Sequence, residues 1–316
     1  MPTVRHTRHE VLTSAPPERV FSLVADVTGW PQVFGSTVHA EATDAAKEAD
    51  GEQLLRVWAY VNGEARSWSS RRVLDRAAGT IRFRLVGSSP PLASLGGQWS
   101  VEPDRGGAHV VLLHHYSVAD DAPGAAERAA AVLDHDSEAE LAALRGSAEI
   151  AEQWPELTFS FGDSEEISGS AEDVYGFLDR ADAWPERLPH VVAARCTGER
   201  GGVQVLDLDT RSPDGSVQHS RSARVSFPDR GLLVYKRLTM PPLLAGHTGR
   251  WTVEELGDKV TATSWHTVTL DPAGVRQVLG EGASPAEART LVRHALGTNS
   301  TTTLRYAKEY AEARRA

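Results

Sequence analysis

The chain has 316 residues, 41% hydrophobic and 24% charged, with 43 acidic against 33 basic side chains and a formal net charge of −10. That length suits two domains of ordinary size, and the acidic balance argues against a nucleic-acid partner or attraction to an anionic membrane surface. No apolar run reaches the roughly 18 residues of a membrane helix, Met1 to Glu10 lack an apolar signal core, and the single cysteine, Cys196, precludes an intrachain disulfide and suits a reducing cytoplasm.

Arg5 to Leu12 reads as extended. Ser14-Ala15-Pro16-Pro17-Glu18 has the form of a helix start, with a capping serine, prolines in the first turn and an acid after them. The helix is expected to run to about Val27, with Val20, Leu23, Val24 and Val27 on one face. Trp30-Pro31 should stop it, since the residue before proline avoids helical angles, and a short second turn to Phe34 follows. From about Glu41 the period becomes two: Leu55, Val57, Ala59 and Val61 alternate with other residues. Strands are expected over Arg66–Leu74, Thr80–Val86, Gly97–Glu102 and Ala108–Val118, parted by turn clusters such as Ala78-Gly79 and Asp104-Arg105-Gly106-Gly107. Ala125 to about Gln153 reads as one long helix, and Trp154-Pro155 marks a domain boundary.

The second half repeats the first. Val20-Phe21 and Trp30-Pro31 return as Val174-Tyr175 and Trp184-Pro185; Ser70-Arg71-Arg72-Val73 returns as Ser222-Ala223-Arg224-Val225. Pro90-Pro91-Leu92 matches Pro241-Pro242-Leu243, and Gly97-Gln98-Trp99 matches Gly249-Arg250-Trp251. Four echoes in one order and near-constant offset indicate a tandem duplication, with domains over residues 1–154 and 155–316. The second copy is read as a strand over Leu157–Ile167, a helix from Ser170 to Ala183, strands from about Val191 to Leu270, and a last helix over Pro285–Arg315. Each copy is thus α+β: a curved antiparallel sheet around a long C-terminal helix, with a cleft between them.

The usual reactive signatures are missing. The chain has no glycine-rich phosphate loop, no cysteine pair, no His-Glu-x-x-His and no nucleophile elbow. The pairs His6/His9 and His114/His115 lack carboxylates at ligand spacing, so neither a metal nor another cofactor is expected. Period two puts Trp68, Ser70, Arg72 and Leu74 on one strand face, and the apolar ends direct that face inward with Arg72 on it. An arginine there stays charged and offers a planar fork of donors. Arg224 holds the equivalent place, but it is flanked on its own face by Ser220, Ser222 and Ser226. The opposite face carries Ala223, Val225 and Phe227, so alternation alone would turn Arg224 outward. Aligning Val110 with Val260 pairs Tyr116 with His266 and His114 with Ser264, and makes Tyr116 a candidate donor and His266 a candidate acid or base. Trp30, Phe34 and Trp99, with Trp184, Leu188 and Trp251, are either plain core or flat walls for a planar ligand.

Taken together, Ala15-Pro16, Gly29-Trp30-Pro31 with Phe34, Ser70-Arg71-Arg72-Val73 and Trp99 resemble the aromatase/cyclases of bacterial aromatic polyketide biosynthesis. So do Asp182-Ala183-Trp184-Pro185, Ser222-Ala223-Arg224-Val225, Trp251 and Asn299-Ser300-Thr301-Thr302-Thr303-Leu304 in the second copy. Two copies in one chain resemble the di-domain members. The resemblance implies the helix-grip fold shared with START domains and the birch-pollen allergens. It implies as substrate a poly-β-ketone held on an acyl carrier protein, which is folded, closed to its first ring by an intramolecular aldol reaction and dehydrated to an aromatic. It also implies a central role for Arg72. With that substrate, Arg72 and Arg224 are expected to polarise carbonyls and Tyr116 and His266 to handle protons, with Trp68, Ser70 and Ser222 beside the aromatic residues as substrate contacts. A tyrosine that contributes in related single-domain enzymes aligns with Thr37 and Val191, so Tyr116 is expected to replace it. The competing expectation is a non-catalytic START-like carrier of a hydrophobic small molecule, since fold alone does not separate the two.

Overall fold

The computed structural model describes residues 3–42, 51–88, 91–119, 123–150, 154–199, 201–211 and 215–315. They form two compact units, one from residues 1–59 and 66–152 and the other from residues 60–65 and 153–316. The first contains β1 (Arg5–Thr13), α1 (Pro17–Ala25), α2 (Trp30–Val33), β2 (Thr37–Ala42), β3 (Gly51–Val61), β4 (Glu64–Asp75), β5 (Thr80–Leu85), β6 (Leu92–Asp104), β7 (Gly107–Val118) and α3 (Ala125–Glu149). After the short α4 (Trp154–Leu157), the second contains β8 (Thr158–Ile167), α5 (Ala171–Asp179), α6 (Trp184–Arg187), β9 (Val191–Thr197), β10 (Val203–Arg211), β11 (Val217–Phe227), β12 (Leu232–Arg237), β13 (Leu244–Leu256), β14 (Lys259–Leu270), α7 (Pro272–Leu279) and α8 (Pro285–Arg315). Each unit builds a seven-stranded sheet, in the orders β1-β7-β6-β5-β4-β3-β2 and β8-β14-β13-β12-β11-β10-β9. With the long helices α3 and α8 over their sheets, these are the two helix-grip modules the duplication implied.

Local chemistry explains where the elements begin and end. Proline lacks the N–H that a first turn leaves unused, so Pro31 and Pro185 sit inside the first turns of α2 and α6. Trp30 and Trp184 therefore start helices rather than stop them; α1 has already ended at Ala25, where Asp26 turns to extended angles. Ser14 is not a cap: Pro16 holds that position, and the Ser14 amide donates to Glu149 instead. Ser170 does cap α5, accepting from the Asp173 amide at 3.0 Å. Helix α3 ends at Glu149, and the expected end at Gln153 falls outside the described residues. Helix α7 was not foreseen; Asp271 caps it and Pro272 fills its first turn.

In the first unit Val110 and Leu112 of β7 face Leu141 and Leu144 of α3, in a cluster with Val20, Val24, Phe34 and Trp99. In the second, Ala262 of β14 meets Leu304 and Ala307 of α8, with Val174, Phe177, Leu188 and Trp251. Strand register corrects the expected alignment of the copies. Trp99 pairs with Leu112 and Gly97 with His114, while Trp251 pairs with Ser264 and Gly249 with His266. The true counterpart of His266 is therefore His114, not Tyr116. Two glycines make this inner face possible. A Cβ on Gly97 would collide with Leu113 O and lie 2.6 Å from Phe83 Cζ, and one on Gly249 would collide with Tyr235 Oη and lie 2.7 Å from Trp265 O. Only glycine lets the aromatic ring of the neighbouring strand cross there.

Candidate functional site

Both arginines point inward and are 3% exposed. The Arg72 Nε donates to Gln53 Oε1 at 2.8 Å, Nη1 to Val24 O at 3.0 Å and Nη2 to Ala25 O. It thus clamps the last carbonyls of α1, where the helix dipole favours a cation. Burial lowers its pKa to about 10, opposed by Asp26, so it stays protonated at neutral pH. Arg224 repeats the device: Nε donates to Gln204 at 3.3 Å, and Nη2 to Asp179 O and Asp179 Oδ1 at the end of α5. Arg224 is inside despite the alternation argument because Ala223 and Val225 on the opposite face are buried too. Ser226 donates to the same Asp179 carboxylate.

The aromatic residues gather near these clamps. Trp30 Nε1 donates to Val24 O at 3.1 Å, the Arg72 guanidinium lies 5.8 Å from its ring, and Phe34 meets it edge-on at 5.7 Å. Phe34 also lies 6.5 Å from Trp99. Trp68 packs with Trp30 on Val27, Ala40, Leu55 and Val57. Trp184 Nε1 donates to Phe177 O at 3.0 Å and packs with Leu188 and Trp251. Ser70 spends its hydroxyl on Arg84 O at 3.1 Å, and Ser222 is half-buried on β11 opposite Leu206 and Arg237. Thr37 and Val191 are buried, as is Tyr116, which pairs across strands with Arg5 and Leu95.

His266 is the residue around which polar chemistry collects. Its Nδ1 lies 3.0 Å from Tyr235 Oη and 3.0 Å from His247 Nε2; its Nε2 lies 2.7 Å from Ser300 Oγ and 3.2 Å from Ser264 Oγ. Ser264 in turn donates to Ser300 at 3.2 Å. His247, Ser264, His266 and Ser300 are each at most 4% exposed. Desolvation pushes His266 down to about 4, against a raising contribution from Asp163. Desolvation and the neighbouring His266 push His247 to about 3, and burial raises Tyr235 above the usual phenol range. The cluster is thus neutral at pH 7, and exchanging the tautomer of His266 passes a proton between its Tyr235 side and its Ser300 side. Among the described residues, buried His247 Nδ1 has no hydrogen-bond partner, in either tautomer a polar atom left over for a ligand.

The first unit carries a reduced version. His114 lies 3.5 Å from Ser137 of α3, as His266 lies against Ser300 of α8, and burial lowers it to about 4. By register, Phe83 stands for Tyr235 and Leu112 for Ser264, and two residues before each glycine Leu95 stands for His247. Tyr235 and His247 were not singled out in the sequence, and Ser264 and Ser300 entered only as an alignment partner and within a resemblance motif, not as site residues. The available signal was these apolar-to-polar changes between copies, visible only once the second pair of strands is aligned on its tryptophans. Two open grooves, of about 590 Å³ along α1 and about 550 Å³ across the outer face of the first sheet, contain none of the expected site residues. Among the described residues no three His, Cys, Asp or Glu side chains gather to hold a metal ion, and no helix is long and apolar enough to cross a membrane.

Comparison with known proteins gives a consistent picture. Residues 3–149 match the sequence family described as polyketide cyclase / dehydrase and lipid transport. The chain is 43% identical over 315 residues to the granaticin polyketide synthase bifunctional cyclase/dehydratase of Streptomyces violaceoruber, covering 98% of this chain and 95% of that one. It is 42% identical to the actinorhodin counterpart of Streptomyces coelicolor, covering 95% and 94%. Among solved structures, the di-domain ARO/CYC BexL of the BE-7585A pathway superposes with a TM-score of 0.88 at 45% identity, covering 98% and 99%. The di-domain ARO/CYC StfQ of the steffimycin pathway superposes at 0.83 with 31% identity.

Proposed function

The chain belongs to the polyketide synthase cyclase/dehydratases in their two-domain aromatase/cyclase form, an enzyme family rather than a set of passive binders, and we propose that its acid–base step runs through His266. The substrate is a poly-β-ketone, delivered as a thioester on an acyl carrier protein in the cytoplasm, and the reaction is closure of its first ring with loss of water.

The observation that carries this reading is the hydrogen-bonded cluster of half-buried Tyr235 with buried His247, Ser264, His266 and Ser300, with one histidine nitrogen left unpartnered among the described residues. A poly-β-ketone needs little activation, because its α-hydrogens are acidic and its ketones electrophilic. It needs one folded conformer and a group that moves protons without water. In the proposed sequence His266 takes an α-proton, the enolate carbon attacks a ketone, and the imidazolium returns the proton to the new alkoxide. Loss of a second α-proton and of the hydroxyl, protonated through the same ring, releases water. Neutral histidine suits this cycle, since it can accept first and donate afterwards. His247 Nδ1 is free to hold a ketone or enol oxygen. In this reading Arg72 and Arg224 act by position: they hold the ends of α1 and α5 and thereby fix Trp30 and Trp184 as walls.

Reconstitution with a minimal polyketide synthase tests the assignment. His266→Ala is expected to lose the aromatised product and return shunt products, with Tyr235→Phe and His247→Leu intermediate. An unchanged product profile in His266→Ala would remove the acid–base role from this cluster.

A further inference from the structure

Helix α8 sets Arg289 and Arg293, one turn apart, over two phenylalanines of β8. The Arg289 guanidinium lies 4.9 Å from the Phe159 ring, and that of Arg293 lies 4.4 Å from Phe161. Phe159 and Phe161 stack on each other at 5.9 Å, and Phe161 stacks on the His266 imidazole at 4.9 Å with only 25° between the planes. A continuous pile of flat groups therefore runs from Arg289 to the proton-handling histidine.

The two arginines differ in charge balance. Arg293 is held in a fork by Asp163, with contacts of 2.6 and 3.2 Å, and 41% of its side chain is exposed. Arg289 is half-buried and has no ion-pair partner among the described residues. In a chain with ten more acids than bases, an uncompensated guanidinium laid flat on an aromatic face is a site for an anion. Stacking holds the plane of the group and leaves its donor edge open.

We infer that Arg289, backed by Phe159, binds the phosphodiester of the pantetheine arm that carries the substrate, with the arm lying along Phe159 and Phe161 toward His266. The inference rests on the reading that the chain arrives tethered to a carrier protein. The Arg293–Asp163 pair is already neutral and flanks the path, so the phosphate selects Arg289.

The test uses the full-length protein with 4′-phosphopantetheine and pantetheine as probes in titration calorimetry. The phosphorylated probe should bind about tenfold more tightly to the wild type, and added salt should shrink that preference. Arg289→Gln should abolish it, and Arg289→Lys should keep part of it. Equal affinities for the two probes, or an undiminished preference in Arg289→Gln, would overturn the inference. Cyclisation of an untethered poly-β-ketone thioester, followed in parallel, separates the two ideas. Turnover without phosphate preference removes the arm site alone; phosphate preference without turnover upholds the arm site and removes the cyclase assignment.

Discussion

At the scale of single residues, the second unit is distinguished by a few side chains that its duplicate lacks. Phe83, Leu95 and Leu112 leave His114 with one hydroxyl neighbour, whereas Tyr235, His247 and Ser264 surround His266. Removing His266 is expected to cost about 100-fold or more in turnover, the usual worth of a positioned acid–base group, while His114→Ala costs much less; single-turnover product formation checks the difference. The buried histidines also make stability pH-dependent. Their folded pKa values of about 3 and 4 lie below the ordinary value of 6.5, so the unfolded chain binds more protons as pH falls. Their neutral burial is fully tolerated above pH 6.5 and becomes a loss as pH drops from 6.5 toward 4, worth a few kcal/mol. Calorimetric melting at pH 7 and 4.5 should therefore show a smaller acid loss in His247→Leu than in the wild type. An equal loss in both would mean that His247 is solvated in the folded state.

At the scale of elements, the structure is held by devices at helix ends. Arg72→Ala should destabilise the first unit by about 2–4 kcal/mol, because it takes the guanidinium donor from the Ala25 carbonyl, leaves Val24 O with the Trp30 indole alone and removes one partner of buried Gln53. Arg224→Ala should cost about 2–4 kcal/mol, because it leaves the half-buried Asp179 carboxylate without its cation and with Ser226 as its remaining donor. Denaturant unfolding checks both. The two capping serines should behave oppositely: Ser170→Ala costs about 1 kcal/mol, whereas Ser14→Ala, which removes no cap, leaves the midpoint nearly unchanged. Within the sheet, Gly249→Ala should push the Tyr235 phenol off His266 and lower both stability and turnover, whereas Gly282→Ala, with nothing within 4 Å of its Cβ, should do neither. Circular dichroism with a turnover assay distinguishes the two glycines.

At the scale of the whole molecule, duplication, alternation and helix signals determined the architecture without any coordinates. Echoed tryptophans and arginines gave two copies, period two with short turn clusters gave antiparallel sheets, and the repeat of the first copy's plan gave a last helix over Pro285–Arg315, its observed bounds. These features are local, so sequence carries them. The site was less legible. His266 was singled out, but its counterpart was misplaced by two residues, because period two specifies a face and leaves register free in steps of two; only the pairing of Trp99 with Leu112 and Trp251 with Ser264 resolved it. The role of Arg72 was likewise hidden, since its partners lie 47 and 48 residues away on α1 and no short-range pattern ties a strand arginine to a helix end. The polar cluster around His266 draws on β12, β13, β14 and α8, four segments brought together only after the sheet has closed under its helix. Sequence determined the alternation of each strand; tertiary structure alone decided that Arg224 lies inside and which side chains touch, because hydrogen bonds are made across space between chain segments whose separation folding sets.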